Sequence, residues 1–254
     1  MRMLKRVFDF YINCSIHLGI AVFALTSITQ LSLKIPIIEN LNETIFFGTI
    51  LGYNFLKYSS VFSFKFFNQN KYLDVAIVCF IAFVAFLYFF IPLNLKMQIA
   101  FLKIGVLVLI YPFLRKYGLL KIFYVSFCVT LITVYLPVFL LNFWGFDSYV
   151  TFIQRFLIVI SLLIPFEIRD SLTDELRTKT LPQRFGINAT KLFGILLIVP
   201  FMTMEFLKAN FNYLVLPIGV LIALLIQNTS FKRTKYYTSF WVESVPILWL
   251  ILML

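Results

Sequence analysis

Residues 75–91, VAIVCFIAFVAFLYFFI, form a run of seventeen side chains without a single charge. The run is apolar on every face of a helix, whereas strands of a transmembrane β-barrel alternate polar and apolar side chains over about ten residues. A helix needs about 20 residues to cross a bilayer, so this run and its flanks match one span. The stretch therefore predicts a membrane protein built from helices.

The composition extends this prediction to the whole chain of 254 residues. Hydrophobic residues make up 61% of it and charged residues 13%, with a mean hydropathy of +0.95, whereas soluble proteins are about 45–50% apolar. Apolar windows, read between polar breaks, lie at about 11–33, 43–67, 73–91, 97–114, 119–141, 148–167, 189–206, 211–229 and 237–254. We therefore predict an all-α, polytopic helical bundle with about nine transmembrane helices, forming a single domain over residues 1–254.

The net charge of +11 is distributed unevenly along the chain. Sixteen of the 22 Lys and Arg residues lie in the tail and loops on the N-terminal side, and only Lys34, Lys96 and Lys208 lie in the opposite loops. The other three lie within the windows: Lys57, Lys103 and Arg155. Because cytoplasmic loops accumulate Lys and Arg, we expect a cytoplasmic N-terminus and no nucleic-acid partner. The expected location is a bacterial inner (cytoplasmic) membrane, with the active face cytoplasmic.

The longest polar interruption, residues 167–188, reads EIRDSLTDELRTKTLPQRFGIN and holds four of the eleven acids. If the sixth helix continues past Pro165, then Glu167, Asp170 and Asp174 recur at spacings of three and four and share one face. Carboxylates one turn apart are suited to Mg²⁺, which prefers oxygen ligands and bridges to substrate phosphates. Neighbouring Arg and Lys side chains would bind the same phosphates. The alternative is a solvated loop whose charges only orient the protein.

Two local patterns resemble the UbiA family of intramembrane prenyltransferases. Asp170-x-x-x-Asp174, followed by Lys179-Thr180-Leu181-Pro182 and Gly186, is similar to the second aspartate-rich motif of that family, which also follows the sixth of nine helices. Residues 111–116, YPFLRK, are similar to the Tyr-containing, Lys/Arg-ended segment that closes helix four. The resemblance covers the whole predicted topology, and its specific motifs cover about a tenth of the chain. It implies a polyprenyl diphosphate donor, a lipid-soluble cyclic or aromatic acceptor, and Mg²⁺.

The first aspartate-rich motif of the family, Asn-x-x-x-Asp-x-x-x-Asp on helix two, is only partly present. Its best-placed match runs from Asn54 to Tyr58 to Phe62, so the asparagine is kept and both aspartates are replaced. Lys57 lies beside this segment, where it could replace some metal charge or extend toward the inner surface.

The resemblance implies a role for each candidate residue. Asp170, Asp174 and Asn54 would be catalytic, and the metal ligands would be Asp170, Asp174 and Glu167. The diphosphate would be bound by basic side chains: Arg115, Lys116, Lys179 and Lys57. We thus expect an enzyme, a prenyltransferase embedded in membrane lipids.

Two other hypotheses remain open at this point. The lost aspartates favour a catalytically degenerate UbiA-like protein that binds isoprenoid or quinone lipids, or that scaffolds a membrane enzyme. A transporter with an unrelated fold would account for the intramembrane Asn54 and Lys57, since polar groups within spans often serve function.

Overall fold

The computed structural model describes residues 2–58, 73–114, 117–171 and 179–254, and these contain helices and loops but no strand. The eleven α-helices among them are α1 Arg2–Asn13, α2 Ile16–Ser32, α3 Leu41–Tyr58, α4 Leu73–Phe90, α5 Leu95–Leu114, α6 Gly118–Thr130, α7 Leu136–Leu140, α8 Phe146–Asp170, α9 Leu181–Thr203, α10 Val215–Gln227 and α11 Val245–Met253. Shorter helical segments join some of them: a π-helix at Leu131–Tyr135, a 3₁₀-helix at Met204–Leu207 and a π-helix at Tyr237–Val242.

The prediction of a helical membrane protein is confirmed, because five helices of the described part are long and apolar enough to cross a bilayer. A sixth span results if α1 and α2, which are bent by 54° at their junction, are taken together. Each of the nine predicted windows contains helix, although residues 59–67 of the second window lie outside the described residues. The number of nine spans and the cytoplasmic N-terminus stay predictions.

The first window was predicted as one span beginning near residue 11, whereas the structure has two helices that meet near Ser15. Ser15 has a φ of 62°, in the left-handed region that interrupts a right-handed helix. Asn54 of α3 stabilises this break, because its Nδ2 donates to the Cys14 carbonyl at 2.9 Å and its Oδ1 accepts from Ser15 Oγ at 2.7 Å. A long-range side chain thus replaces the backbone hydrogen bonds that the break removes.

Helix α8 lies at the centre of the bundle. Buried residues make up 61% of its most apolar window, against 11% for α4 and 17% for α5. Ile158, Ile160, Ile164 and Ile168 of α8 belong to a core that includes Phe201 of α9 and residues of α2, α6, α10 and α11. The C-terminal end of α8, which carries Asp170, is therefore surrounded by other helices, while α4 and α5 offer apolar side chains to lipid.

The two ends of the bundle differ in their charged residues. We call the end that holds Asp170 and the start of α9 the basic end, and the other the far end. Most of the described cations lie at the basic end: Lys5, Arg6, Lys57, Lys121, Arg169, Lys179, Arg184, Lys191, Lys232, Arg233 and Lys235. Lys34, Lys96 and Lys208 lie at the far end. The described residues therefore follow the predicted one-sided distribution of charge.

Candidate functional site

The segment predicted to carry chemistry lies at the basic end, where α8 ends and α9 begins. Helix α8 continues past Pro165 to Asp170, as the spacing argument required. Thr180 precedes α9, and its backbone N–H donates to Gln183 Oε1 at 3.0 Å. Gly186 interrupts α9 with φ 79° and ψ 167°, a conformation essentially restricted to glycine. The Thr-Leu and Gly of the motif therefore start α9 and bend it. Asp174 lies outside the described residues.

Glu167 forms a buried ion pair rather than pairing with Asp170. Its Oε1 lies 3.0 Å from Nζ of Lys121 on α6, and both side chains are about nine-tenths buried. The Asp170 side chain, one helical turn away, is 42% exposed. Because Lys121 compensates its charge, Glu167 contributes to the α6–α8 interface, which is a structural role that the metal-ligand prediction did not include.

Asp170 is paired with its chain neighbour Arg169, whose Nε donates to Asp170 Oδ1 at 2.7 Å. Nη1 of the same guanidinium donates to the Thr238 hydroxyl and, at 3.3 Å, to Ser239 Oγ. Arg169 thereby ties the end of α8 to the π-helical segment before α11. The guanidinium also lies over the Phe166 ring, 5.3 Å from its centroid.

Asn54, Lys57 and Tyr58 of the degenerate first motif all contact the break between α1 and α2. Besides the hydrogen bonds of Asn54, Lys57 Nζ donates to the Asn13 carbonyl at 3.0 Å and Tyr58 OH to the same oxygen at 3.2 Å. These side chains satisfy carbonyls at the C-terminal end of α1, which have no partner within the helix. Phe62 lies outside the described residues.

Five residues at the basic end are linked by electrostatic interactions, and we call them the central polar cluster: Tyr53, Lys57, Arg169, Asp170 and Glu243. The charges of Arg169 and Glu243 both act on Lys57, and those of Arg169, Asp170 and Glu243 all act on Tyr53. The side chain of Tyr53 is 38% exposed, although it lies near charges from two other parts of the bundle. The cluster therefore combines groups from α3, from the end of α8 and from the segment just before α11.

Glu243 is the acidic member of this cluster that was not among the predicted site residues. Its carboxylate makes no hydrogen bond or ion pair within the described part of the chain, although the cations Lys57 and Arg169 act on it. The signal was available, because Glu243 is the only acid in the window at residues 237–254. Ionisable groups within apolar segments mark candidate functional sites by default.

An apolar groove of about 410 Å³ lies near the Glu167–Lys121 pair, between α6 and the first turns of α9. Its lining is mainly aliphatic and aromatic: Leu119, Phe123, Leu181, Phe185, Ala189, Thr190 and Phe193. Clefts of this size and character suit an extended lipid chain. Phe185 and Ala189 lie on either side of the bend at Gly186, so the bend is part of the groove wall.

The predicted Mg²⁺ site does not form from the described residues alone. Among them, no group of three His, Cys, Asp or Glu side chains is placed to hold a metal ion. Asp170 is paired with Arg169 and Glu167 with Lys121. The remaining proposed ligand, Asp174, lies outside the described residues, and the metal stays a prediction.

Of the predicted diphosphate-binding residues, the structure brings only Lys57 into the central polar cluster. Lys179 is exposed just before α9, with a φ of 49°, and its carbonyl accepts from Arg184 Nε at 2.9 Å. Arg115 and Lys116 lie outside the described residues. Arg169, one of the basic side chains beside the carboxylates that were expected to bind phosphate, also belongs to this cluster.

Comparisons of the chain with models of known protein families, with curated proteins and with solved structures yield no match.

Proposed function

We propose that this chain is an integral-membrane prenyltransferase of the UbiA type, which moves a polyprenyl group from its diphosphate to a cyclic or aromatic acceptor. The observation that carries the proposal is the central polar cluster. Two cations from different helices, Lys57 and Arg169, both act electrostatically on the Glu243 carboxylate at the basic end. An anionic headgroup attached to an apolar chain requires this combination of charge and hydrophobic surroundings.

The headgroup would lie between Lys57 and Arg169, whose charges stabilise the diphosphate as the bond between carbon and oxygen breaks. The electron pair leaves with the diphosphate, and the acceptor attacks the allylic carbon. Glu243 is suited to take the proton that the acceptor loses, because no hydrogen bond or ion pair in the described part engages its carboxylate.

The groove beside α9 would hold the prenyl chain. It is lined almost entirely by apolar side chains and lies near the buried Glu167–Lys121 pair. Because the prenyl chain would move from lipid to an equally apolar groove, its binding would depend on van der Waals packing against the groove walls rather than on removal from water. The donor and acceptor would both enter from the surrounding lipid, at the face we expect to be cytoplasmic.

Mg²⁺ is proposed from the resemblance alone, with Asp170 and Asp174 as ligands. We assign no step to it, since the described residues do not assemble its site. A comparison of turnover in Mg²⁺ and in a chelator tests this part separately.

The second candidate is a catalytically degenerate protein that binds isoprenoid or quinone lipids, or scaffolds a membrane enzyme. A specific observation favours it. Asn54, Lys57 and Tyr58, at the position of the first motif, hold the junction of α1 and α2. In this hypothesis, the first motif has exchanged metal binding for a structural role.

The experiment is an assay of the purified protein in lipid nanodiscs with a series of polyprenyl diphosphates and aromatic acceptors. We expect prenylated product, with a loss of about 100-fold or more in kcat for Glu243→Gln if it removes a general base. Lys96→Gln, an exposed lysine at the far end, is the matched control. Saturable binding of the diphosphate without any release from it would favour the second candidate.

A further inference from the structure

Arg155 is a buried cation without an acidic partner at the far end of the bundle. The residue is 3% exposed within α8. Its Nη2 donates to Thr29 Oγ1 of α2 at 3.1 Å, and its guanidinium lies 5.8 Å from the ring centroid of Trp249 on α11. Within the described part of the chain no carboxylate pairs with it. A charge buried in this way is costly unless a counter-charge compensates it.

The nearby carboxylate, Glu205, is already fully engaged. Its Oε2 lies 3.0 Å from Lys208 Nζ and accepts from Gln154 Nε2 at 2.9 Å, and its Oε1 accepts from the Asn212 backbone N–H at 2.9 Å. Burial lowers the pKa of Lys208, which lies just beyond the α9 span, and the Glu205 carboxylate opposes that shift. Glu205 lines the same cavity but is paired with Lys208, so Arg155 has no ion-pair partner among the described residues.

Three polar atoms without hydrogen-bond partners converge on one cavity beside Arg155. They are Arg155 Nη1, Thr151 Oγ1 and Trp249 Nε1, each of which is buried and makes no hydrogen bond within the described structure. All three residues line the same cavity, and Thr151 precedes Arg155 by one helical turn on the same face of α8. The rest of the wall includes apolar side chains such as Ile28 and Ile158.

The cavity is small, and the Arg155 guanidinium contributes a positive charge to its wall. Its volume is about 10 Å³, which is the space of about one water-sized particle. A water molecule would satisfy hydrogen bonds but would leave the charge of Arg155 uncompensated. Among common anions a halide is nearest to this size, although larger than water, whereas a phosphate, a sulfate or a lipid headgroup is several times too large.

We propose that this cavity binds a single halide-sized anion, and that chloride is its physiological ligand. Arg155 supplies the counter-charge, and Thr151 and Trp249 donate the further hydrogen bonds. The site joins α2, α8 and α11 at the far end, whereas prenyl transfer is proposed at the basic end. Its role is therefore to hold this end of the bundle together, independently of the proposed enzymatic activity.

The test measures thermal unfolding of the full-length protein in nanodiscs while chloride replaces gluconate, an anion too large for the cavity, at constant ionic strength. Ligands that bind only the folded state raise its stability with concentration. We expect the Tm to rise with chloride and to saturate, and bromide to substitute for it. A Tm that does not depend on chloride would overturn the proposal.

Variants assign the effect to this cavity. Trp249→Phe and Thr151→Val each remove one donor with little change in shape and should weaken the apparent chloride affinity about tenfold or less, while Arg155→Gln should abolish it. Lys96→Gln, at the same end but exposed, should respond as the wild type does. An equal chloride response in Arg155→Gln would contradict the assignment. Should Arg155→Gln fail to fold, bromide-soaked crystals of the wild type decide, through an anomalous peak beside Arg155 or its absence.

Discussion

Lys121 Nζ and Glu167 Oε1 lie 3.0 Å apart across the α6–α8 interface, and both side chains are about nine-tenths buried. Glu167 is the first carboxylate of the polar segment 167–188, which was predicted to hold the metal site, and its partner is a lysine on another helix. The two neighbouring carboxylates of this segment therefore have different surroundings. Glu167 is buried between two helices, whereas Asp170, one turn further, pairs with Arg169 and belongs to the central polar cluster.

Removal of one partner of this pair should destabilise the protein strongly. Lys121→Met or Glu167→Gln leaves a polar or charged group buried without its compensating partner, at a cost of about 3–5 kcal/mol. The double variant Lys121→Met/Glu167→Leu should recover most of the loss, because replacing both charges by apolar groups is often neutral. Thermal unfolding in detergent measures both effects. If the double variant is stable but loses Mg²⁺-dependent turnover, then Glu167 is a metal ligand after all.

Asn54 should matter for structure more than for chemistry. Asn54→Leu removes two hydrogen bonds, the one donated to the Cys14 carbonyl and the one accepted from Ser15 Oγ. We therefore expect a loss of about 1–3 kcal/mol in the free energy of unfolding. Hydrogen exchange should accelerate across α1 and at the junction with α2. A variant of normal stability and normal exchange that lacks activity would instead place Asn54 in the reaction.

Gly194 should be intolerant of any larger residue, because a Cβ at this position would lie 2.9 Å from Ile164 Cγ1 on α8. The Gly194 carbonyl also accepts from Ser161 Oγ at 3.1 Å, so the two helices approach closely here. Gly194→Ala should destabilise by about 1–3 kcal/mol. Gly105→Ala is the matched control, since nothing lies within 4 Å of its Cβ, and it should be neutral or slightly stabilising. Equal unfolding curves for the two variants would contradict this packing.

Gly186→Ala tests the bend in α9 without any steric clash, because no atom lies within 4 Å of the added Cβ. The φ of 79° alone should cost about 1–3 kcal/mol. Gly145→Ala is the control, with an extended φ of −137° and equally open surroundings. We further expect the binding of long polyprenyl chains to weaken in Gly186→Ala, because the bend is part of the groove wall. If the variant keeps the same preference for prenyl chain length, the groove does not bind the prenyl chain.

The helical elements were predictable because each apolar window is a local signal. The extension of α8 past Pro165 meets the condition on which the shared face of its carboxylates depended. The contacts between elements were not predictable. Nothing near Ser15 predicts a helix break, since the side chain that stabilises it, Asn54, is 39 residues away. The pairing of Glu167 with Lys121 and the position of Arg169 beside Thr238 likewise depend on how the helices pack.

Glu243 and Arg155 are ionisable residues within predicted membrane spans. Both lie in apolar windows, and both occupy polar positions of the folded bundle, one at each end. Their neighbours come from distant parts of the chain, so the sequence marks such residues as exceptional without indicating their partners.

The central claim is that Lys57 and Arg169 hold a polyprenyl diphosphate for transfer. The most direct measurement is single-turnover release of diphosphate from a radiolabelled polyprenyl diphosphate, in nanodiscs with Mg²⁺ and an aromatic acceptor. We predict release coupled to prenylated product in the wild type and in Lys96→Gln, and a loss of about 100-fold or more in Lys57→Gln/Arg169→Gln, as expected when groups that stabilise a leaving group are removed. Release that is unchanged in the double variant would contradict the account.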